Sequence, residues 1–229
     1  EEGKAKIATA DAIALDVAHA VGPTPLEGKT VVVTSGPTAE PIDPVRVLTN
    51  RASGRTGQAV AKGIYANGGD VILLHREGEV PYADVRSVET AAEMTDAAVE
   101  AAADADALVS AAAVGDFTVE PFAEKVSSGE SITLELEPTP KLVDTVRKAA
   151  SDLPIVGFKL ESDPEALPTA ARALLDRTDM AFVVANATDA LGGEETAVEF
   201  VTDDAVESFS GTKTALGLEV ARRLGAVLD

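Results

Sequence analysis

Short apolar runs separated by stretches of helical spacing constrain this chain more than any other feature. Val31 to Thr34, Val71 to His75, Ala107 to Val114, Ile155 to Phe158 and Met180 to Asn186 are each brief and almost wholly apolar. That is the pattern of strands buried on both faces. Between them, Thr56 to Asn67, Ala91 to Ala103, Leu142 to Ala150 and Glu165 to Arg177 carry helical spacing, the first ending on Asn-Gly-Gly, a C-cap signal. Parallel strands need crossovers of helical length, so the alternation predicts a three-layer αβα, Rossmann-like α/β fold around a mostly parallel sheet. Ala197 to Gly211 reads as a hairpin turning at Thr202 to Asp204, an antiparallel C-terminal extension, and Lys213 to Leu228 as the last helix. Ser131 to Glu137 alternates with period two, which predicts a strand with one wet face.

Residues 1–27 differ from the rest. One amphipathic segment with Ile7, Ile13, Leu15 and Val17 precedes Gly-Pro-Thr-Pro, which breaks a helix. We read 1–27 as a helical segment and linker following a preceding domain, and 28–229 as the functional domain.

The charge balance narrows the partners. The chain has 39 acidic and 19 basic residues, a net charge of -20 spread along its length. Nucleic acids and anionic membranes would repel such a surface. Its self-repulsion is relieved by salt, so a salt-rich cytoplasm is the expected setting. With no cysteine, disulfides and thiolate chemistry are excluded. No stretch approaches the roughly 18 apolar residues of a membrane span.

Ligands of open α/β sheets bind beyond the carboxyl ends of the strands. After the first strand comes Ser35 to Gly57, about three times the usual 2 to 6 residues of such a connection. It carries Arg46, Arg51 and Arg55, is stiffened by Pro41 and Pro44, and ends with Gly54 and Gly57 at a helix N-terminus suited to phosphate. After the second strand end lie His75 and Arg76; His75 and His19 match no metal-ligand spacing and read as structural. Asp116 follows the third, then Lys125 in a polar loop; Lys159 and Glu161 follow the fourth, and Asn186 ends the fifth. An NADP-dependent oxidoreductase competes for this pattern, with Arg76 on the 2′-phosphate, but the glycines lie too far from the first strand for its tight fingerprint. A noncatalytic nucleotide-binding regulatory domain is a third reading.

The segment VVVTSGPTAEPIDPVRVLTNRASGRTGQAVA resembles the signature of phosphopantothenoylcysteine synthetases. Thr34, Gly36, Thr38, Glu40, Pro41, Asp43, Val45, Arg46, Asn50, Ser53, Gly54 and Gly57 match in register. AAAVGDF, Lys125, PTPKLV, GFKLES and VVANAT follow in the family's order. The resemblance implies a ligase of coenzyme A biosynthesis, joining 4′-phosphopantothenate to L-cysteine through an acyl-cytidylate made from CTP, with Mg²⁺. It implies a homodimer, and fusion to an N-terminal decarboxylase domain. Carried over residue by residue, Asn50 and Lys125 would be catalytic, and Arg46, Asn50, Ser53, Gly54 and Gly57 would bind phosphopantothenate. Ser110, Ala111, Ala112, Asp116, Lys125, Thr139, Pro140, Lys141, Leu142, Phe158, Arg172 and Arg177 would bind the nucleotide. The chain departs from the family at Lys141, where an aspartate is usual, and keeps one lysine of a pair at Lys125; metal ligands are not indicated.

Overall fold

The structure, a computed structural model, describes residues 8–76, 78–129, 131–187 and 195–229. Ile7, counted above with the first helix, lies outside them. The chain runs α1 (Ala10–Val21), β1 (Thr30–Thr34), β2 (Ala39–Pro41), β3 (Val47–Thr49), α2 (Arg55–Ala66), β4 (Asp70–His75), β5 (Asp84–Ser87), α3 (Ala91–Ala102) and β6 (Ala107–Ser110). It continues with β7 (Phe117–Val119), β8 (Leu136–Pro138), α4 (Leu142–Ala149), β9 (Ile155–Glu161), α5 (Leu167–Thr178), β10 (Phe182–Ala187), β11 (Glu195–Val201), β12 (Val206–Thr212) and α6 (Lys213–Leu228).

Eight strands form one sheet in the order β12-β11-β10-β9-β6-β1-β4-β5. β1 lies parallel between β4 and β6, β9 and β10 extend the parallel part, and β11 and β12 close it antiparallel. The period of two along each strand divides the core. Val31 and Val33 join Val60, Ile64, Leu216 and Leu224 under α2 and α6, whereas Val32 joins Met94, Val146 and Leu175 under α3, α4 and α5. Both faces are covered, as the alternation requires.

α2 and α6 touch backbone to backbone. A Cβ on Gly63 would lie 2.2 Å from the carbonyl oxygen of Gly217, and one on Gly217 would lie 2.0 Å from that of Ala59. Only glycine permits this approach. α1 sits on α2 through His19, whose ring stacks on Tyr65 at 4.1 Å and whose Nδ1 is 2.7 Å from the Tyr65 carbonyl. Leu26 is fully buried in the core below it. No helix among the described residues is long and apolar enough to cross a membrane.

Several expected bounds change. The strand expected to run to Val114 stops at Ser110, because the next residues leave the ladder for the β1 loop. Ala112 N–H donates to Thr34 Oγ1 at 3.1 Å and Ala113 N–H to the Gly36 carbonyl at 2.9 Å. Of Ser131 to Glu137, only the end pairs, as β8 against β7. β9 runs on to Glu161 because β10 accompanies it that far, so Lys159 and Glu161 belong to the strand and do not follow it. The polar edge strand β5 was not anticipated.

Candidate active site at the strand tips

The long connection after β1 is an ordered hairpin, β2 paired with β3, followed by a glycine-bounded turn into α2. Its buried polar residues bind it to the rest of the domain. Glu40 accepts hydrogen bonds from the Ala91 N–H at the start of α3 (2.8 Å) and from the Thr118 hydroxyl (3.0 Å). Thr38 Oγ1 accepts the Gly115 N–H at 2.8 Å. Asp43, buried in the hairpin turn, accepts the N–H groups of Val45, Arg46 and Val126 and the Arg46 guanidinium. Burial pushes the Asp43 carboxyl up, but those donors and the Arg46 charge outweigh it and hold it below the usual carboxylate value.

Behind the hairpin, α2 begins at Gly54, a left-handed N-cap (φ 72) that offers no side-chain acceptor. The first-turn N–H groups of α2 therefore lack the usual cap and can receive an anion. They open on a cleft of about 200 Å³ between the tips of β1, β6, β9 and β10. Gly36, Arg51, Ser53, Gly54, Arg55, Gly57, Ala111 to Ala113, Phe158, Leu160, Asn186, Thr196, Val198 and Lys213 are among its walls. Arg51, Arg55 and Lys213 line it, and no carboxylate does among the described residues. In a chain with twice as many acids as bases, that local excess of cations makes the cleft a candidate anion site.

The expected site residues fall into groups. Ser53, Gly54, Gly57, Ala111, Ala112 and Phe158 line the cleft, as do Arg51 of the loop and Arg55, the first residue of α2. Ser110 ends β6 just beside it. Asn50 borders it: its Nδ2 donates to the Ala113 carbonyl at 2.6 Å, and its Oδ1 accepts the Ala52 N–H at 3.0 Å. A second cluster stands apart from the cleft lining. There Lys141 Nζ meets Asp116 Oδ1 at 2.5 Å, and Thr139 is bonded to the carbonyls of Asp116 (3.0 Å) and Gly115 (2.5 Å). Pro140 lies between Thr139 and Lys141, and Leu142 is buried as the first residue of α4.

Arg46 Nη1 also donates to the Val126 carbonyl at 3.1 Å, and Lys125 is exposed on the loop so held. Arg172 and Arg177 are not brought to the cleft. Arg172 donates to the Asp203 carbonyl in the β11–β12 turn at 2.7 Å, and Arg177 pairs with Asp144 of α4. The packing of α5 explains this, since Leu167, Ala171 and Leu175 dock it on the sheet face opposite α2 and α6.

Gly36, Leu160, Thr196, Val198, Lys213 and Leu216 were missed as wall residues. Thr196 and Val198 alternate onto the face shared with Phe200, but only the return of β11 beside β10 brings them to the cleft. Lys213 carried one readable signal, a cation at the first position of a helix directly after a strand. No group of three or more His, Asp or Glu side chains that could hold a metal ion occurs among the described residues.

The protein-family model described as the DNA/pantothenate metabolism flavoprotein C-terminal domain matches residues 26–227. The coenzyme A biosynthesis bifunctional protein CoaBC of Thermococcus kodakarensis is 42% identical over 212 residues, which are 89% of this chain and 52% of that protein. CoaBC of Methanocaldococcus jannaschii is 34% identical over 231 residues, 98% of this chain and 57% of that one. The chain thus spans about half the length of these curated relatives. The crystal structure of a CoaBC C-terminal domain superposes with a TM-score of 0.74 at 26% identity, covering 90% of this chain and 98% of that domain. With the family model matched over nearly the whole length and relatives 42% and 34% identical, the chain belongs to the family of DNA/pantothenate metabolism flavoprotein C-terminal domains.

Proposed function

We propose that this chain is the phosphopantothenate–cysteine ligase portion of a coenzyme A biosynthesis protein, using CTP to activate the acid. The observation that carries the reading is the cleft with three cations, an uncapped helix N-terminus and no carboxylate among its described walls, in a strongly acidic protein. Both phosphopantothenate and CTP are anionic, and such a site concentrates the scarce positive charge where they meet. The dinucleotide reading is disfavoured, because β1 connects to α2 through the hairpin β2–β3 and not through a tight glycine turn.

In the first step a carboxylate oxygen of 4′-phosphopantothenate attacks the α-phosphorus of CTP, and the bond to pyrophosphate breaks. In the second the amine of cysteine attacks the acyl carbon, the bond to CMP breaks, and the amine loses a proton. Ser53, Gly54, Gly57 and the first turn of α2 would receive phosphate, with Arg55 adding charge. Asn50 would orient the carboxylate and the acyl-cytidylate. The backbone of Ser110, Ala111 and Ala112, with Asp116 and Phe158, would hold the nucleotide, and Thr139 to Leu142 would shape its rim. Lys125 would stabilise the charged intermediate, Arg46 would hold its loop toward the substrate, and closure would exclude water. The reading needs neither Arg172 nor Arg177. Mg²⁺, if used, would travel on the triphosphate, as is common for this ion.

Exposed apolar side chains occur on the β2–β3 hairpin at Val45 and Val47, on the β7–β8 ribbon at Phe117 and Leu136, and beyond β7 at Phe122, and they support a homodimer. A monomer by light scattering at working concentration would remove that part. Fusion of residue 1 onward to a decarboxylase domain, with 1–27 as the link, and a salt-rich cytoplasm complete the reading. The decisive assay is pyrophosphate release from CTP in high salt, expected to continue over many turnovers only when both phosphopantothenate and cysteine are present, and to stop at about one equivalent per site without cysteine. Sustained release in the absence of cysteine or of phosphopantothenate, or NADPH binding with no release, would sink it.

A further inference from the structure

His75 is buried, 9% exposed, at the carboxyl tip of β4, and the reaction outlined above gives it no part. Its ring lies directly behind the anion-binding turn. Nδ1 is 3.0 Å from the carbonyl oxygen of Ser35, and Nε2 is 3.3 Å from the side-chain amide nitrogen of Gln58 on α2. A carbonyl only accepts and an amide nitrogen only donates, so one tautomer satisfies both, with the proton on Nδ1 and a lone pair on Nε2. Ser35 passes the connection on, since its hydroxyl donates to the Gly54 carbonyl at 2.9 Å. The ring also fills the space a side chain would need on either glycine of the turn. A Cβ on Gly36 would fall 3.0 Å from the imidazole, and one on Gly54 would fall 3.1 Å from it. Both glycines have positive φ, 83° and 72°.

Gln58, His75, Ser35 and Gly54 therefore form a hydrogen-bonded ring joining α2, β4 and the tip of β1. The peptide it fixes is the N-cap of α2, whose orientation sets where the N–H groups of the next turn point. We infer that His75 is a positioning residue for the phosphate-binding turn, holding it preorganised through its Nδ1–H tautomer and not touching substrate itself. This deepens the ligase reading and rests on its anion cleft.

Inorganic pyrophosphate is the probe, because its binding is measured without turnover and so separates this inference from the identity of the reaction. His75→Leu should weaken pyrophosphate binding by about tenfold or more, the effect of one buried hydrogen bond lost. His75→Asn, whose amide nitrogen can replace Nδ1, should stay within about threefold of wild type. With only two histidines in the chain, nitrogen-detected NMR of the unmutated protein reads the tautomer directly. The His75 signal should report Nδ1–H and should shift on adding pyrophosphate. A proton resident on Nε2, unchanged affinity in His75→Leu, no rescue by His75→Asn, or no pyrophosphate binding by wild type each overturns the inference. If pyrophosphate binds as expected but CTP yields no product, the reaction assignment fails and the role of His75 stands.

Discussion

Asp43 Oδ2 accepts the backbone N–H of Val126 at 3.1 Å, joining residues 83 apart in the chain. The same carboxylate organises its own turn and holds Arg46, which returns to the Val126 carbonyl. One buried group thus fixes the loop carrying Lys125 to the hairpin that leads to Asn50. Asp43→Ala should free that loop and lower kcat roughly a hundredfold, the scale of a displaced catalytic group, and should lower the thermal midpoint as well, because the N–H groups of Val45, Arg46 and Val126 lose their acceptor. Because its folded pKa lies below the ordinary 3.8, the charged clasp persists above that value and is lost only as pH falls through the lowered one. Limited proteolysis around residue 125 should accordingly be the same at neutral pH and at about pH 5 in wild type. Increased cleavage at the milder acidity would contradict the clasp.

Asn50 and Lys125 offer the direct test of the proposed chemistry. Asn50→Asp removes the donor to the Ala113 carbonyl and sets a charge against it, so the wall of the cleft loses its tether. Lys125→Gln removes a charge on an exposed loop. Each should cost about a hundredfold or more in product formation, as for a lost oxyanion donor, while circular dichroism and melting stay near wild type. Turnover at the wild-type rate in both would remove the site assignment and leave the fold untouched.

The parallel sheet and its helices were readable because each strand and helix carries its own period. Val31 to Thr34, Lys213 to Leu228 and the hairpin turning after Val201 all appear where local pattern placed them. What failed depends on partners distant in sequence. Ala111 to Val114 is as apolar as the strand before it, yet the β1 loop takes its hydrogen bonds. Ser131 to Leu134 alternates well but finds no strand beside it. The cleft was legible where the signature lies, at Ser53, Gly54 and Gly57, and illegible at Thr196 and Val198, which arrive only by the folding back of β11 beside β10. Arg172 and Arg177 show the converse, since helix position alone could not say which sheet face they serve.

The contact between α2 and α6 should set stability and binding together. A methyl on Gly217 meets backbone atoms of Ala59, at 2.0 Å from the oxygen and 2.5 Å from the carbon, so no side-chain rotation relieves it. Gly217→Ala must separate the helices, at a cost of about 1–3 kcal/mol for overpacking. For a domain of this size that lowers the melting temperature by roughly 2–4 °C per kcal/mol. Arg55 and Lys213 begin these two helices and line the cleft, so the Kd for pyrophosphate should rise as well. An unchanged melting curve would show that the close approach is not maintained in solution.

Glu219 gives a test of pH dependence confined to α6. Its hydrogen bond from Arg222 lowers its pKa to about 2; burial opposes that shift, and the second arginine, Arg223, adds to it. Arg223 also pairs with Glu207 of β12 and lies over the Phe200 ring at 4.1 Å, so the cluster ties α6 to the antiparallel edge of the sheet. The unfolded carboxyl titrates near 4.5, well above the folded group. The stabilisation is therefore whole above about pH 4.5, declines as the unfolded chain protonates, and is gone once pH falls through about 2. Acidification also neutralises the other carboxylates of this chain, so raw stability against pH mixes many groups. Comparing wild type with Glu219→Gln by denaturant titration at fixed ionic strength cancels those shared terms. Wild type should be the more stable at neutral pH, by a margin that shrinks steadily below about pH 4.5. A margin that stays constant or widens on acidification would mean that the arginine cluster does not hold Glu219 in its charged form.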